Sequence, residues 1–329
     1  NILREVMQRL ASAMALVLIA SGAAAQVPAD ASWSTVASTH FRVTYEGDLE
    51  PLARHAAAVA ERAHAALSVL LARPPGGTID IVLADNLDLS NGFATPFPSN
   101  RIVVYVRPPT DVLELQYTRD WIELVVTHEL AHIFHLDVTG RFGRLLRTIF
   151  GRLPAPWPVF PAVGVPTWNI EGMAVGVESE LTDYGRTNGS WNEMIVRTAA
   201  LARQLDEYDR LGSSSARWPG GAREYIYGAL FMDYVARRHG PEAARRIVRY
   251  TAGATIPPAA AFGRVGSNAF DMTFREMYRE WEAEAIARSD SIAAVLRAQG
   301  LTQSEPLTTH RAVAQYPRFS PDSRRIAYA

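Results

Sequence analysis

The stretch Thr127-His128-Glu129-Leu130-Ala131-His132 decides how the rest of this 329-residue chain is interpreted. It lies in a segment with helical spacing that follows Asp120, and Asp120 with Glu123 has the form of an N-cap and its capping partner. In a helix, His128 and His132 are one turn apart on the same face, so both imidazoles can reach one zinc ion. Glu129 lies beside them, where it can take a proton from activated water. The stretch therefore predicts a helical zinc site with Glu129 as catalytic base.

A third metal ligand is needed, and two candidates follow along the chain. His135 lies seven residues after His128, about 10 Å along a helix axis, so one straight helix cannot close a tetrahedral site with all three histidines. The metzincin pattern is also excluded, because it needs Gly where this chain has His135 and His where it has Val138. The better candidate is Glu171, which lies in a second segment with helical spacing.

The second segment resembles a known family. Residues 166–174 are Pro-Thr-Trp-Asn-Ile-Glu-Gly-Met-Ala, with Glu171 opening a Glu-Gly-x-Ala motif. Together with the first helix this resembles the gluzincin zinc metallopeptidases, and specifically the aminopeptidase-N-like peptidase MA group, whose second helix supplies the third ligand with this motif. The resemblance implies that His128, His132 and Glu171 bind Zn²⁺. It implies hydrolysis of a peptide or protein substrate as well.

Two further positions match the same group. Glu178 lies two turns after Glu171, where those enzymes have a second acidic residue that could hold the far nitrogen of a zinc-bound histidine; the alternative is an exposed helical Glu. Tyr225 opens a Tyr-x-x-Gly segment, which implies that Tyr225 is a catalytic residue that stabilises the oxyanion, with Tyr227 as the reserve candidate. Both tyrosines could instead belong to an aromatic core face with Phe231 and Tyr234.

The chain departs from this group on the edge strand that aligns the substrate. Where the family has Gly-Ala-Met-Glu-Asn, this chain has Gly-Phe-Ala-Thr-Pro from Gly92 to Pro96. The Glu that binds a substrate's free amine is therefore absent, and neither Thr95 nor Pro96 can neutralise an ammonium. We therefore expect an endopeptidase rather than an aminopeptidase.

A long insertion separates His132 from Glu171, and residues 141–153 within it form a basic amphipathic pattern. Its arginines surround one apolar stripe, which consists of Phe142, Leu145, Leu146, Ile149, Phe150 and Leu153. Such a helix can lie on an anionic membrane surface or pack over the cleft as a lid. Because most amphipathic helices face protein, we expect the lid.

Composition limits the other function classes. The net charge of −1 and pI of about 6.8 give no global basic field, so nucleic acid is not an expected partner. All cationic residues other than His are Arg, which points to a bacterial source. The absence of Cys excludes disulfides, a thiol nucleophile and cysteine zinc ligands, so His, Asp or Glu must hold any metal. The sequence does not indicate an oligomeric state.

The order of elements predicts an α+β fold. The alternating segment at residues 40–45 and the apolar segments at residues 78–84 and 101–106 predict strands, and residues 52–71 predict a helix. From Asp120 onward helical patterns dominate, at residues 120–137, 168–180, 191–210, 223–239, 241–252 and 271–298. We expect a gluzincin metallopeptidase fold, with a small N-terminal sheet over the active-site helix and a mostly helical C-terminal half.

Both termini predict additional segments. Residues 1–25 have the layout of a secretory signal peptide cleaved after Ala25, so we expect export to the periplasm or the medium. Residues 26–300 would form the metallopeptidase domain. Residues 301–329 would form a linker and the first strands of a TolB-like β-propeller, because Ser320-Pro321-Asp322 resembles its recurring Ser-Pro-Asp-Gly turn, with Ser323 in place of Gly. The rest of that propeller would lie outside this chain.

The predicted function is therefore zinc-dependent peptide-bond hydrolysis on extracytoplasmic substrates. Two alternatives remain open. One is a non-catalytic, zinc-stabilised module of a propeller-containing binding protein. The other is a zinc hydrolase that acts on a non-peptide amide or ester in the cell envelope.

Overall fold

The computed structural model describes residues 32–110, 112, 114–115, 118–154, 156–213, 218–308 and 316–328. The chain divides into two compact units, one ending at Ile286 and the other beginning at Ala287. The expected signal peptide at residues 1–25 lies outside the described residues. Among the helices that are described, none is both long enough and apolar enough to cross a bilayer.

The first unit contains one five-stranded mixed sheet in the order β1-β2-β3-β5-β4. Its strands are β1 (Trp33–Ala37), β2 (Phe41–Glu46), β3 (Ile79–Ala84), β4 (Gly92–Thr95) and β5 (Arg101–Tyr105). The three central strands run parallel, and the edge strands β1 and β4 pair antiparallel to their neighbours. Alternate residues of β2 and β3 are buried, so one face of the sheet packs against the core.

Helices form most of the remaining chain. They are α1 (Glu50–Leu71), α2 (Trp121–Leu136), α3 (Arg141–Phe150), α4 (Thr167–Leu181), α5 (Ser190–Leu201), α6 (Arg223–His239), α7 (Ala243–Ala252), α8 (Pro258–Ala261), α9 (Gly263–Phe270) and α10 (Phe274–Gln299). Short 3₁₀ turns lie at Pro161–Gly164, Arg186–Asn188, Tyr208–Arg210 and Gly220–Ala222. The predicted α+β class, with a small sheet and mostly helical remainder, is confirmed.

Two predicted helix boundaries were wrong. The helix expected over residues 191–210 ends at Leu201, since Arg203 adopts a positive φ of 56° that a helix cannot continue through. The helix expected from residue 271 begins at Phe274, because Asp271, with a φ of 57°, terminates α9 in the left-handed conformation.

The packing of three helices positions the site. α2 packs against α1 and against strands β4 and β5, while α4 packs between α2 and α6. α4 and α6 touch backbone to backbone, because a Cβ on Gly172 would lie 2.4 Å from the carbonyl carbon of Gly228. This close approach fixes the position of α4, which carries Glu171, against α6.

The second unit contains a short antiparallel hairpin of β6 (Arg318–Phe319) and β7 (Ile326–Ala327). Of residues 301–329, where a linker and the first strands of a propeller were expected, the described part contains only these two short strands. Ser323, in the turn between the two strands, has a φ of 56°, a conformation that favours Gly.

Candidate metal centre

Helix α2 brings the two motif histidines together. The Asp120 side chain accepts a hydrogen bond of 3.0 Å from the backbone N–H of Glu123, so the predicted N-cap is present. His128 and His132 are both buried on the same face, and their Nε2 atoms lie 3.1 Å apart. Two nitrogens that close need a cation between them or a shared proton.

Helix α4 adds a carboxylate to this pair. Oε2 of Glu171 lies 3.3 Å from Nε2 of His128 and 3.2 Å from Nε2 of His132, and it has no hydrogen-bond partner among the described residues. Tetrahedral coordination with bonds of about 2.0–2.1 Å places ligand atoms about 3.3 Å apart. The three atoms therefore form a triangle of the right size and chemistry for zinc, and these residues fit that ion.

The charges within this group are strongly perturbed. Burial acts to raise the pKa of Glu171, but contacts with His128 and His132 outweigh it and hold the pKa well below its ordinary value. Burial acts to lower the pKa of His128, but Glu171 and Glu178 raise it to about 9. A metal that binds here therefore displaces a proton from His128.

Glu129 lies beside the triangle of His128, His132 and Glu171, next to Gly92 at the start of strand β4. Its Oε2 is buried with no hydrogen-bond partner in the described part of the chain, and burial raises the pKa of its carboxyl group. A Cβ on Gly92 would lie 2.9 Å from Oε1 of Glu129 and 2.6 Å from Val125, so only a glycine lets the strand pass here. The site thus holds a carboxylate that is free to exchange a proton.

A buried ion-pair network supports His128 from behind. Oε2 of Glu178 accepts a hydrogen bond of 2.8 Å from Nδ1 of His128, which leaves Nε2 of that ring for a metal. Glu178 is 0% exposed, and Arg186 donates to it through both Nε at 2.8 Å and Nη2 at 2.9 Å. The structure thus places Glu178 behind His128, where the resemblance put it, and not on the surface.

Sequence reasoning missed Arg186. It lies in the 3₁₀ turn after α4, outside every motif, and only its occurrence eight residues after a buried acid could have suggested it. Its guanidinium also lies 4.9 Å from the centre of the Tyr225 ring, over one face. Arg186 therefore links the carboxylate behind His128 with the tyrosine of the cleft.

Tyr225 and Tyr227, the two candidates for stabilising the oxyanion, lie in different surroundings. Tyr225 lines the cleft, with its ring 6.3 Å from the ring of His128, and burial raises the pKa of its hydroxyl, which therefore stays protonated. Tyr227 is buried in the core against Trp281. Of the four aromatic residues on α6, Tyr225 alone takes the cleft position, while Phe231 and Tyr234 are buried with Tyr227.

These side chains open into a cleft of about 550 Å³. Strand β4 forms one wall, and residues of α2, α4 and α6 form the floor and the opposite wall. Glu114, from the segment before α2, also lines it; Oε2 of Glu114 is buried without a hydrogen-bond partner among the described residues, and Oε1 lies 3.5 Å from Nη1 of Arg186. Burial raises the pKa of Glu114. Glu114 was not predicted, since its loop carries no motif.

The structure bears on two further expectations, one about His135 and one about residues 141–153. His135 lies outside the metal group, as the helix geometry required, and burial lowers its pKa to about 3, so its ring is neutral. The expectation of a lid was wrong, because no described residue of 141–153 lines the cleft. Helix α3 instead packs through Gly143 against Pro158.

Comparisons with known proteins give weak matches. No protein-family model and no curated protein matches the chain. Among solved structures, an M1 zinc metallopeptidase from Deinococcus radiodurans is 16% identical with a TM-score of 0.44, over 76% of this chain and 51% of that one. Native yeast LTA4 hydrolase is 13% identical with a TM-score of 0.40, over 85% and 40%. An aminopeptidase N family protein from Idiomarina loihiensis is 13% identical with a TM-score of 0.33, over 82% and 44%.

The structural neighbours are thus M1 zinc peptidases at low identity and partial coverage. The chain spans about half the length of the Deinococcus structure and less than half the length of the other two. Likeness at this level identifies neither the family nor the reaction. The function has to follow from the geometry of the site.

Proposed function

We propose that this chain is a zinc-dependent hydrolase of the gluzincin type that cleaves peptide bonds. The observation that supports this proposal is the triangle of His128, His132 and Glu171, with side-chain atoms 3.1–3.3 Å apart, at the floor of a cleft. Zinc held there would supply a Lewis acid that polarises the substrate carbonyl and activates water. The remaining steps fall to side chains of this chain.

Glu129 acts as the general base and then as the general acid. Its unpartnered Oε2 takes the proton from the attacking water and returns it to the leaving nitrogen, and its burial-raised pKa suits a group that must do both. The hydroxyl of Tyr225, which keeps its proton, donates a hydrogen bond to the oxyanion that develops on the substrate carbonyl. Glu178, held by Arg186, keeps the proton of His128 on Nδ1 and so orients the ring.

The experiment is a comparison of metal content and hydrolysis. We expect the purified protein to hold about one zinc per chain and to lose hydrolysis in chelator. Glu129→Gln should retain the zinc while hydrolysis falls by about 10²-fold or more. Glu180→Gln, an exposed change on α4, is the matched control and should leave both unchanged.

The outcomes separate the alternatives. Zinc without turnover of peptides, esters or other amides would support the non-catalytic module. Zinc-dependent turnover of an ester or non-peptide amide alone would support the envelope hydrolase. Full activity in Glu129→Gln would remove Glu129 from the mechanism.

We further propose that the substrates lie outside the cytoplasm and that residues 301–329 begin a TolB-like propeller. These proposals rest on the layout of residues 1–25 and on the Ser320-Pro321-Asp322 turn, which is supported by the positive φ of Ser323. Expression of the chain in a bacterium with N-terminal sequencing of the exported product tests the first. We expect Gln26 as the new N-terminus. A cytoplasmic product that retains residues 1–25 would contradict export.

A further inference from the structure

Helix α3 turns its apolar side to solvent. Five apolar side chains of α3 and the residues after it are 44–60% exposed, namely Phe142, Leu145, Ile149, Phe150 and Leu153. Phe142, Leu145 and Ile149 follow the i, i+3, i+7 spacing of one helical stripe. A stripe of this size on a surface is typical of an interaction site.

The opposite side of α3 is fixed to the protein by arginines. Arg147 donates to Oδ1 of Asp137 at 2.8 Å and to the carbonyl of Val159 at 2.7 Å, and its guanidinium stacks 4.1 Å from the centre of the Phe160 ring. Arg152 lies 3.0 Å from the same Asp137 carboxylate and donates to Oδ1 of Asn100 at 2.7 Å. Because these contacts hold the polar side inward, the apolar stripe is an anchored surface and cannot rotate into the core without breaking them.

The stripe is surrounded by positive charge. Between Asp137 and Glu171 the sequence has four arginines and no acidic residue, although the whole chain has a net charge of −1. Arg141 and Arg144 are exposed, and neither forms an ion pair within the described part of the chain. Arg73 belongs to the same surface, since Arg73 and Arg144 line one pocket, and burial together with the charges of Arg144 and Arg249 lowers the pKa of Arg73. We call Arg73, Arg141, Arg144, Arg249 and the five apolar residues the α3 patch.

We infer that the α3 patch docks this protein on an anionic phospholipid membrane surface. Apolar side chains flanked by unpaired arginines match the interfacial region of a bilayer, where an amphipathic helix inserts its apolar face about 5–10 Å and its cations meet lipid phosphates. Arg144 and its neighbours supply the charge complementarity. The inference is independent of the zinc chemistry, because no described patch residue lines the cleft.

A second copy of the chain fits the patch less well. A two-fold dimer would place the same surface of each copy face to face. Arg141 and Arg144 of one copy would then meet those of the other, and like charges would oppose the apolar contact. An anionic membrane surface would instead attract these arginines.

The absence of Cys from the chain allows a direct test. Ile149→Cys labelled with the fluorophore NBD reports the surroundings of α3, and Val69→Cys, at a side chain 73% exposed on α1, is the matched control. Vesicles of phosphatidylglycerol and phosphatidylcholine should shift the emission of the Ile149 probe to the blue and leave that of the Val69 probe unchanged. An Ile149 probe that stays in water while the protein binds vesicles elsewhere would overturn the inference.

Two double variants separate charge from apolar contact. Arg141→Gln with Arg144→Gln should weaken binding to the anionic vesicles about 30-fold, since each arginine near the surface contributes about a factor of five. Arg237→Gln with Arg238→Gln, two exposed arginines of α6, should leave it unchanged. Leu145→Ser with Ile149→Ser should weaken binding at least tenfold.

Three results would contradict membrane docking. The first is equal binding to pure phosphatidylcholine, and the second is unchanged vesicle binding in both patch variants. The third is a dimer in solution that Leu145→Ser with Ile149→Ser dissociates while no variant binds vesicles, which would assign the patch to a second copy. Because all four substituted side chains are exposed, circular dichroism should show each variant folded as the parent is.

Discussion

At the scale of single residues, Arg186 forms ion pairs with the buried carboxylate of Glu178 and with that of Glu114. Arg186→Met would leave the buried Glu178 without its guanidinium partner, with only His128 and the backbone N–H of residue 186 in contact, so we expect a loss of about 3–5 kcal/mol in the free energy of unfolding, measured with denaturant. Arg237→Met breaks two exposed ion pairs, with Asp233 and Glu284, and should cost about 1 kcal/mol or less.

A second substitution checks this explanation of Arg186. Because the cost comes from an unpaired buried charge, Glu178→Gln combined with Arg186→Met should be more stable than Arg186→Met alone. If Arg186→Met costs no more than Arg237→Met, the network does not carry the stability assigned to it.

Sequence reasoning found the residues whose chemistry is written into a local pattern and missed those that depend on the fold. His128, Glu129 and His132 are recognisable because one helical turn fixes their relative positions. Arg186 and Glu114 reach the site from a 3₁₀ turn and a loop, where no periodicity relates them to the histidines. Their roles arise only when α2 and α4 pack together.

At the scale of elements, the crossing of α4 and α6 sets the position of Glu171. A Cβ on Gly172 would meet the backbone of Gly228 at 2.4–2.8 Å, so Gly172→Ala must push the two helices apart and shift the neighbouring Glu171. We expect Gly172→Ala to lose about 1–3 kcal/mol of stability and to bind zinc more weakly.

The same helix provides the control for the crossing. A Cβ on Gly176 would meet nothing within 4 Å, so Gly176→Ala should be neutral or stabilising by about 1 kcal/mol or less, with unchanged zinc affinity. Thermal unfolding and zinc titration of both variants measure the difference. Equal behaviour of the two would show that the close approach does not position the ligand.

Elements with strong periodicity were predictable and elements defined by their partners were not. β2 and β3 alternate clearly and β5 is rich in β-branched residues, and all three were predicted within one or two residues. β1 carries no buried residue and was missed, and β4 was expected only from the resemblance. The stripe of α3 was recognised, but its direction was not, since Arg147 and Arg152 turn inward only because Asp137 and the Phe160 ring lie there.

At the scale of the whole molecule, the cleft decides which peptide bonds are accessible. Strand β4 has no carboxylate, and the hydroxyl of Thr95 is already occupied, because it donates to the carbonyl of Phe97 at 2.9 Å. Glu178 is buried behind His128, where a substrate's free amine cannot reach it. Apart from the proposed base Glu129, Glu114 is the remaining acid of the described cleft outside the metal group, and it already faces Arg186.

We therefore predict an endopeptidase. A substrate ammonium would have to compete with Arg186 for Glu114, and the cost of burying it without a full partner selects against free N-termini. Matched free and N-acetylated peptides should be cut at the same internal bonds with rates within about threefold. A threefold difference in rate corresponds to a free energy well below the cost of one unpaired buried charge. Release of single N-terminal residues from the free peptide alone would contradict the prediction. Glu114→Gln would then identify the anchor, because it should abolish that preference only if Glu114 binds the amine.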